Sequence, residues 1–420
     1  MNLWFVHQNA VPPSRSGLMR SYHLARLLTE RGHRVTVIAS SFDHRAHVET
    51  LAPGEMMRRT VEDGVEFFWL RTPVYTGNTL RRAWNMIAFA HRVTTLVSRA
   101  GLGVPDLVVG SSPPPFAAFA AARLAKRYGA PFVLEVRDLW PQTLIDLRRF
   151  ELWHPFVHLL LAVERQIYRR AARIVTVLPN AGAHMVEKGA DAARIDWIPN
   201  GIDLSCVPPP SPPAASGPFT VVYAGAHGFA NGLGTVLDAA ARLQQEPATR
   251  HVRLRLIGNG VEKPALQQRA AREGLANVTF ADAVPNARLY EVLAEADAFV
   301  ANVRTSPLYR YGVSINKLFD YMAMARPTAI AISAFNNPIA EAGAGISVAA
   351  DDAAGLARAI AELAALPPAE RFAMGLRGRR YIETHHDYAQ LAARFEASLE
   401  MARAQDPTAT SAMRIKAALP

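Results

Sequence analysis

The sequence predicts an α/β chain with two parallel sheets, and three observations carry that expectation. Short apolar runs rich in β-branched residues alternate with amphipathic helical patterns almost throughout. One proline-dense break, PNGIDLSCVPPPSPPAASGPF, interrupts the alternation. The 420 residues exceed the usual size of a single domain, so two domains are expected.

In the first half the expected strands are Leu3 to Val6, Val35 to Ala39, Val65 to Leu70, Leu107 to Val109, Phe132 to Val136, Ile174 to Val177 and Ile195 to Ile198. Helices fall between several of them. Leu18 to Arg31 has Leu24, Leu27 and Leu28 on one face and ends at Gly32, which leads into the strand HRVTVIAS. These elements make a first domain over residues 1–203. Proline density between Val207 and Pro218 supports neither helix nor central strand, which sets the interdomain linker at 204–218.

The alternation restarts with strands Thr220 to Tyr223, Val252 to Ile257, Val278 to Phe280, Ala298 to Val300, Thr328 to Ile332 and Gly345 to Val348. This second domain covers 219–386, and helices Ala353 to Leu366, Ala369 to Thr384 and Leu391 to Ala404 close the chain. A polar tail over 405–420 is expected to be mobile.

Half of the residues are hydrophobic and 20% are charged, the composition of a globular protein. The one cysteine, Cys206, excludes an intrachain disulfide framework and fits a reducing, cytoplasmic compartment. Leu3 to Val6 reads as a strand, so no cleaved leader is expected. The longest apolar stretch, Leu152 to Val163, is broken by His154, Pro155 and His158 and is too short to span a bilayer. Lysine and arginine total 46 against 36 acids, a net charge of +10 that favours anionic partners. The arginines gather in no nucleic-acid recognition element, so nucleic acid is not expected as a partner.

Parallel sheets bind ligands beyond the carboxyl ends of their strands, so the loops just after strands have the best claim to chemistry. The richest stretch is Tyr311 to Ala329, YGVSINKLFDYMAMARPTA. Gly312 can adopt backbone angles closed to other residues, and Ser314 is suited to cap a helix from Asn316 to Ala323. Lys317 in the first turn adds a cation to a helix start that already attracts anions, and Asp320 one turn on can accept hydrogen bonds from sugar hydroxyls. An ordinary capped helix is the plainer alternative.

Four further loops qualify. HQNAVPPSRSGLMR follows the first strand and brings Ser16 and Gly17 to a helix start. RDLWPQ follows Phe132 to Val136 and sets Arg137, Asp138 and Trp140 side by side, although Arg137 and Asp138 equally fit a structural ion pair. YAGAHGFANGLG offers Gly225, Gly228, Gly232 and Gly234 for close backbone approach, and LIGNG offers Gly258 and Gly260 ahead of a helix. As a dinucleotide fingerprint GNGVEK lacks the third glycine. The chain has no Asp-x-Asp pair, no zinc-spaced cluster, no nucleophile elbow and no Walker loop, so no metal or cofactor is expected. Two arginine- and aromatic-rich segments, residues 79–100 and 148–173, fit either a membrane interface or core helices with a solvated face; in the second, Trp153, Phe156, Val157, Leu160, Leu161 and Ile167 follow helical spacing.

Taken together, the PP-x-x-x-SG loop, RGHRVTVIAS, RDLWP, IPNGID and YGVSINKLFDYMAMARPTA resemble the retaining bacterial glycosyltransferases of family 4 over nearly the whole chain. Within that family the subgroup adding N-acetyl-L-fucosamine-type sugars in O-antigen, capsule or exopolysaccharide assembly shares DLWP and S-x-N-K-L-F-D/E-Y-M. The resemblance implies the GT-B fold: two Rossmann-like, doubly wound parallel-sheet domains facing a central cleft. In that family the C-terminal domain binds the nucleotide sugar, and a last helix, here within 387–404, crosses back to the N-terminal domain.

The resemblance assigns Asp320 to the donor ribose and Ser314, Asn316 and Lys317 to its diphosphate. Gly225, Gly258, Gly260, Val284, Gly312 and Val313 complete the donor side. Ser16, Gly17, Arg137 and Trp140 fall on the acceptor side, and Asp138, Arg137 and Lys317 are the catalytic candidates. The sequence departs from the family at Ser16, where a glycine is common, and at Gly312, where many members carry a glutamate that touches the donor sugar. That loss would suit a deoxy or acetamido sugar. An Arg and Lys pair of many relatives is absent from GAHGFANGLG, leaving Lys317, with Arg304 or Arg310, to meet the phosphate charge. The expected partners are a nucleotide-sugar donor (uridine being the commonest base), a lipid-diphosphate-linked saccharide and an anionic membrane surface. A sugar-nucleotide epimerase or hydrolase of the same fold, or a non-catalytic binding scaffold, are the competing expectations.

Overall fold

The computed structural model describes residues 1–15, 19–44, 47–77, 80–147, 151, 153–212, 217–285 and 288–405. Two compact units emerge: Met1–Pro199 joined by the segment from Tyr388 onward, and Asn200–Asp387. Ser16, Gly17, Arg148, Arg149 and all of the expected tail beyond Gln405 lie outside the described residues.

The first unit is built on β1 (Asn2–Val6), β2 (Arg34–Ser40), the two-residue strands β3 (Phe42–Asp43) and β4 (Val48–Glu49), β5 (Met57–Glu62), β6 (Val65–Leu70), β7 (Leu107–Ser112), β8 (Phe132–Val136), β9 (Arg173–Thr176) and β10 (Ile195–Trp197). Its eight-stranded sheet runs β10-β9-β8-β7-β1-β2-β6-β5. All pairings are parallel except β5 with β6, an antiparallel edge hairpin turned by Asp63 and Gly64, both at positive φ. The order winds outward in both directions from β1 and β7, so the topological switch point lies between them.

Helices α1 (Arg20–Glu30), α2 (Leu80–Leu96), α3 (Pro115–Tyr128), α4 (Gln142–Asp146), α5 (Pro155–Arg170) and α6 (Gly182–Glu187) connect the strands. On one face α1 packs with the C-terminal helix Tyr388–Ala404, burying Leu24, Leu28, Leu391, Phe395 and Leu399 against Leu3, Phe5, Val35 and Val37. Neighbouring helices α2, α3 and α5 form a second layer. Pro155 opens α5, where its missing N–H costs nothing, and Gly129 ends α3 at φ 63°, a left-handed conformation that glycine adopts without strain.

The apolar stripe of the 148–173 segment is divided between core and surface. Val157, Leu160 and Ile167 are buried as a crossover helix requires, Phe156 and Leu161 are half-buried, and only Trp153 of that set is exposed.

The second unit alternates β11 (Thr220–Ala224), α7 (Leu233–Gln245), β12 (Arg253–Ile257), α8 (Lys263–Arg272), β13 (Val278–Ala281), α9 (Leu289–Ala294), β14 (Ala298–Asn302), α10 (Asn316–Ala323), β15 (Thr328–Ala331), α11 (Pro338–Glu341) and β16 (Gly345–Val348) before α12 (Ala353–Ala365) and α13 (Pro368–His385). Its sheet, β13-β12-β11-β14-β15-β16, is parallel throughout, with the switch point between β11 and β14. Apolar clusters cover both faces. Both units are thus Rossmann-like, doubly wound α/β domains.

The proline-dense stretch does not hang free between the units. The Ile202 N–H donates to the His386 carbonyl at 2.9 Å, Ile202 bridges to Asp387, and Arg326 Nη1 donates to the Ser211 carbonyl at 2.6 Å. Residues from Asn200 therefore belong to the second unit, where the sequence sets a first domain to 203 and a linker over 204–218.

Candidate active-site residues in the two units

In the second unit the switch point gathers the carboxyl ends of β11 and β14 beside the start of α10. Lys317 Nζ donates to the Tyr223 hydroxyl at 2.7 Å and to Asn231 Oδ1 at 2.6 Å, and sits 4.4 Å above the Tyr223 ring. No carboxylate pairs with it among the described residues. Burial, which disfavours the charged form, brings its pKa down to about 7.

Asp320, one turn along, accepts the Tyr290 hydroxyl at 3.1 Å. Burial pushes its carboxyl up to about 7, against the smaller lowering effect of that hydrogen bond. Both side chains nevertheless keep part of their surface open.

The surrounding loops are held by protein contacts. Ser314 does not cap α10: the N-cap is Ile315, which brings no side-chain acceptor. Ser314 Oγ instead accepts the Asn200 N–H at 3.0 Å, and its carbonyl accepts Asn200 Nδ2 at 3.0 Å. Both backbone groups of Val313 are likewise engaged, the N–H with Asn336 Oδ1 at 2.7 Å and the carbonyl with Asn336 Nδ2 at 3.0 Å. These clamps leave the first-turn N–H groups of α10 without a side-chain cap, as an anion site requires.

Gly312 sits at φ 97°, a conformation that a side chain would strain. Asn316 is exposed, while Val284 is half-buried beside the cluster that contains Tyr290.

The glycines after β11 and β12 have a packing reason. A Cβ on Gly258, at φ 145°, would lie 1.9 Å from the Gly225 carbonyl oxygen, and one on Gly260 would lie 2.2 Å from that of His227. A Cβ on Gly225 would meet Lys317 Nζ at 3.0 Å. The two loops therefore interlock through their backbones and position the lysine. Asn302, at the end of β14, donates to the Gly232 carbonyl at 3.2 Å and to Asp351 Oδ1 at 3.1 Å, tying a third loop to the same corner. Of the two arginines considered for phosphate charge, Arg304 stacks on Phe229 at 3.9 Å, and Arg310 bonds the Tyr311 hydroxyl at 2.9 Å.

In the first unit Arg137 and Asp138 follow β8, but they do not pair with each other. Asp138 Oδ1 accepts Thr143 Oγ1 at 2.6 Å, and further bonds come from the Leu139 N–H and the Trp140 side chain. Burial raises its pKa despite these donors. Arg137 instead faces His7, 3.3 Å from Nε2, and the charge of Glu135.

Glu135 is buried and ion-paired to Arg20 Nε at 2.8 Å, and it accepts Ser111 Oγ at 2.6 Å. Burial works against its ionisation, but Arg20 and Arg137 outweigh it and bring the pKa down to about 2. Arg20 Nη2 also donates to the Ile198 carbonyl at 3.0 Å. His7 bonds Ser21 Oγ at 2.8 Å, and burial together with Arg137 lowers its pKa to about 3, so the imidazole is neutral. The network fixes Arg137 at the carboxyl edge of the sheet.

Sequence reasoning missed Tyr223, Asn231, Tyr290, His7, Arg20 and Glu135. Five had a signal: a glutamate inside the apolar strand FVLEV demands a buried cation, and His7, Arg20, Tyr223 and Asn231 lie in loops already singled out. Tyr290, in an unremarkable helix, had none.

Two doubly wound, parallel-sheet α/β units agree with the GT-B fold. Residues 19–201 match the model described as "Glycosyl transferase 4-like domain", and residues 218–365 match "Glycosyl transferases group 1". The chain thus combines the two domains of a GT-B glycosyltransferase. Among curated proteins it is 26% identical over 271 residues to WcaI of Escherichia coli K12, whose name assigns it to colanic acid biosynthesis as a glycosyl transferase. That match covers 60% of this chain and 64% of WcaI, just under two thirds of the relative.

Solved structures with the same fold include a sucrose-phosphate synthase from Thermosynechococcus elongatus, with TM-score 0.70, 16% identity, and 94% of this chain and 97% of that one covered. Anabaena HepE in complex with UDP and glucose gives TM-score 0.67 at 15% identity, with 95% and 99% covered.

Proposed function

We propose that the protein transfers a sugar from a nucleoside-diphosphate donor, a UDP-sugar, to a saccharide carried on a lipid diphosphate during surface-polysaccharide assembly. The observation that carries this reading is the Lys317 and Asp320 pair. One helical turn holds a desolvated ammonium and a desolvated carboxyl, neither in an ion pair among the described residues, at the carboxyl edge of a parallel sheet. A ligand with a diphosphate and a ribose would supply what both lack. HepE was solved with UDP and glucose, and WcaI is named for polysaccharide biosynthesis, which supports the donor class and the process.

In this reading Lys317 and the uncapped start of α10 stabilise the negative charge that develops on the β-phosphate as the nucleoside diphosphate departs. Asp320 accepts hydrogen bonds from the ribose, while Gly225, Gly258, Gly260, Val284, Gly312, Val313, Ser314 and Asn316 shape the donor pocket. The acceptor is held by Arg137 through its phosphate and by Trp140, Ser16 and Gly17. Asp138 orients its hydroxyl. Transfer proceeds with retention and without a metal ion, the departing phosphate taking the acceptor proton. The absence of a glutamate side chain at Gly312 suits a deoxy or acetamido sugar. The enzyme works in the cytoplasm as a peripheral protein on the inner face of the plasma membrane.

The test is a calorimetric titration with UDP, GDP and ADP, without metal and then with magnesium, on the wild type and on Asp320→Ala. It is followed by turnover of the matching nucleotide sugars on a lipid-diphosphate-linked saccharide. Metal-independent UDP binding that Asp320→Ala loses, with sugar appearing on the lipid, is the expected result. Absence of nucleotide binding would overturn the reading, and donor hydrolysis that ignores the lipid would convert it to a hydrolase.

A further inference from the structure

The loop between β11 and α7 carries Asn231, yet its sequence, GAHGFANGLG, gives it little stiffness of its own. The N-cap of α7 is Gly232, which brings no side-chain acceptor. Asn231 Nδ2 bonds the Ala226 carbonyl at 2.9 Å, but that bond stays within the loop. Tyr223, the other partner of Lys317, is fully buried on the central strand β11 and needs no further support. Asn231 must be held from outside the loop.

That support comes from the segment after β14. Asn302, 1% exposed at the end of the strand, donates from Nδ2 to the carbonyls of Asn231 at 3.4 Å and Gly232 at 3.2 Å. Two residues on, the Arg304 N–H donates to the Ala230 carbonyl at 3.1 Å. Consecutive carbonyls of the loop are thus held by residues 302–304. The approach is close, since a Cβ on Gly232, at φ 48°, would lie 2.3 Å from Asn302 Nδ2.

Asp351 fixes that segment in turn. Its Oδ1 accepts Asn302 Nδ2 at 3.1 Å, its Oδ2 accepts the Thr305 N–H at 2.9 Å, and its own N–H donates to Asn302 Oδ1 at 3.1 Å. Burial works against its ionisation, but these donors and the Arg304 charge outweigh it and hold the carboxyl below its usual range. Asp351 sits at φ 62° in the turn between β16 and α12. Both of its oxygens are spent on the protein, so it acts on the site through another residue.

We propose that Asp351 is a positioning residue for Lys317, acting through Asn302 on the backbone of the glycine-rich loop so that Asn231 Oδ1 stays against the ammonium. A lysine ammonium has three donors. Two go to Tyr223 and Asn231, at 2.7 and 2.6 Å, and the third has no partner among the described residues, which leaves it for a ligand oxygen. The inference rests on the assignment of Lys317 to the donor diphosphate and adds to that site a residue from a different loop.

The test reads Lys317 in two ways on the full-length protein. The first is the pH midpoint of its acylation by acetic anhydride without ligand, followed by peptide mass spectrometry; the second is the Kd for UDP by calorimetry at pH 7. Wild type, Asp351→Gly, Asp351→Asn, Asn231→Ala and Asp351→Gly/Asn231→Ala are compared, each with its urea midpoint. Glycine adopts φ 62° without strain, so Asp351→Gly removes the clasp and spares the turn. The titratable groups around Lys317 are His227 in the same loop, which burial and the charges of Lys263 and Lys317 keep neutral with a pKa of about 4, Tyr223, which burial pushes above its usual range, and Asp320 on α10. All three are common to the proteins compared.

Asp351→Gly should admit water beside the ammonium, raise the acylation midpoint by about one pH unit or more and weaken UDP binding about tenfold. The double variant should bind no more weakly than Asn231→Ala alone, because the two residues act in series. Asp351→Asn, which keeps one acceptor oxygen, should fall between wild type and Asp351→Gly.

An unshifted midpoint in Asp351→Gly overturns the positioning role, and with UDP binding intact it leaves the transferase reading standing. Losses that add in the double variant overturn it as well. Tighter UDP binding by Asp351→Asn would assign the carboxylate to charge repulsion, again overturning it. A shifted midpoint in a protein whose wild type does not bind UDP supports the positioning and removes the transferase reading.

Discussion

Raising the pH from 7 to 8.5 should weaken UDP binding through Lys317. Burial holds this lysine at about 7, far below the ordinary lysine range, so about half of it is charged at pH 7 and about 3% at pH 8.5. If only the ammonium binds the diphosphate, affinity falls about 15-fold over this range, or about 1.6 kcal/mol. The phosphates of UDP, titrating near pH 6, are already ionised across the window. Titration calorimetry at four pH values gives the slope, and repetition in two buffers of different protonation enthalpy gives the proton count. In Asp320→Asn, where the neighbouring carboxyl with its own pKa of about 7 no longer titrates in this window, uptake of about half a proton at pH 7, rising toward one at pH 8.5, is expected because the phosphate restores the charge of the lysine. Lys317→Gln should bind weakly at every pH and take up no proton. A flat profile between pH 7 and 8.5 in the Asp320→Asn protein would refute the placement of Lys317 against phosphate.

Four further outcomes are expected. Lys317→Met should raise the melting temperature of the unliganded protein while abolishing UDP binding, because a desolvated ammonium is replaced by an apolar chain; scanning fluorimetry with and without UDP reads both effects. Asp320 carries the opposite pH signature: its folded pKa of about 7 lies above the unfolded value, so its contribution to stability is present below pH 4 and lost as pH rises to 7. Urea unfolding of Asp320→Asn should lack that loss. Gly225→Ala should lower UDP affinity by displacing Lys317 with little effect on folding, whereas Gly258→Ala, with its Cβ 1.9 Å from a carbonyl oxygen, should destabilise the second unit by about 3 kcal/mol or more in chemical denaturation. Glu135→Gln should cost about 3–5 kcal/mol, since it leaves Arg20 buried without its counter-charge. The wild-type contribution of Glu135 is full above pH 4.5 and fades between pH 4.5 and 2 as the carboxylate is protonated.

The central parallel strands were legible because they are buried on both faces and read as continuous apolar runs, as in FVLEV or TVVYA. Strand β5 was not. MRRTVE lies at the edge with nearly every side chain exposed, so it carries no burial pattern, and only the Asp63-Gly64 turn marks the hairpin. Within the second unit, Lys317 and Asp320 were legible because a cation and a carboxylate one turn apart at a helix start form a local pattern. Their partners come from Tyr223, Asn231 and Tyr290, residues 94, 86 and 30 positions away, and no local pattern reports contacts at that range. The misreading of Ser314 has the same origin: its hydroxyl serves Asn200, 114 residues distant, in place of the helix it precedes. Arg137 and Asp138 were likewise read as neighbours in sequence, yet their partners are His7 and Thr143.

The C-terminal helix has a consequence for biosynthesis. Phe395, Leu391 and Leu399 are fully buried among residues of the first unit, Glu396 binds Arg31 and His33, and Ser398 Oγ donates to Asp196 at 2.6 Å. The first 199 residues therefore leave the ribosome without part of their own core. At roughly 5–20 residues per second, the remaining core arrives about 10–40 s later, after the second unit has been made. The second unit, continuous in sequence, can complete its fold first. The first unit must wait with the apolar groove of α1 uncovered, which makes that groove the expected site of chaperone engagement and of aggregation in any chain that stops short of Tyr388.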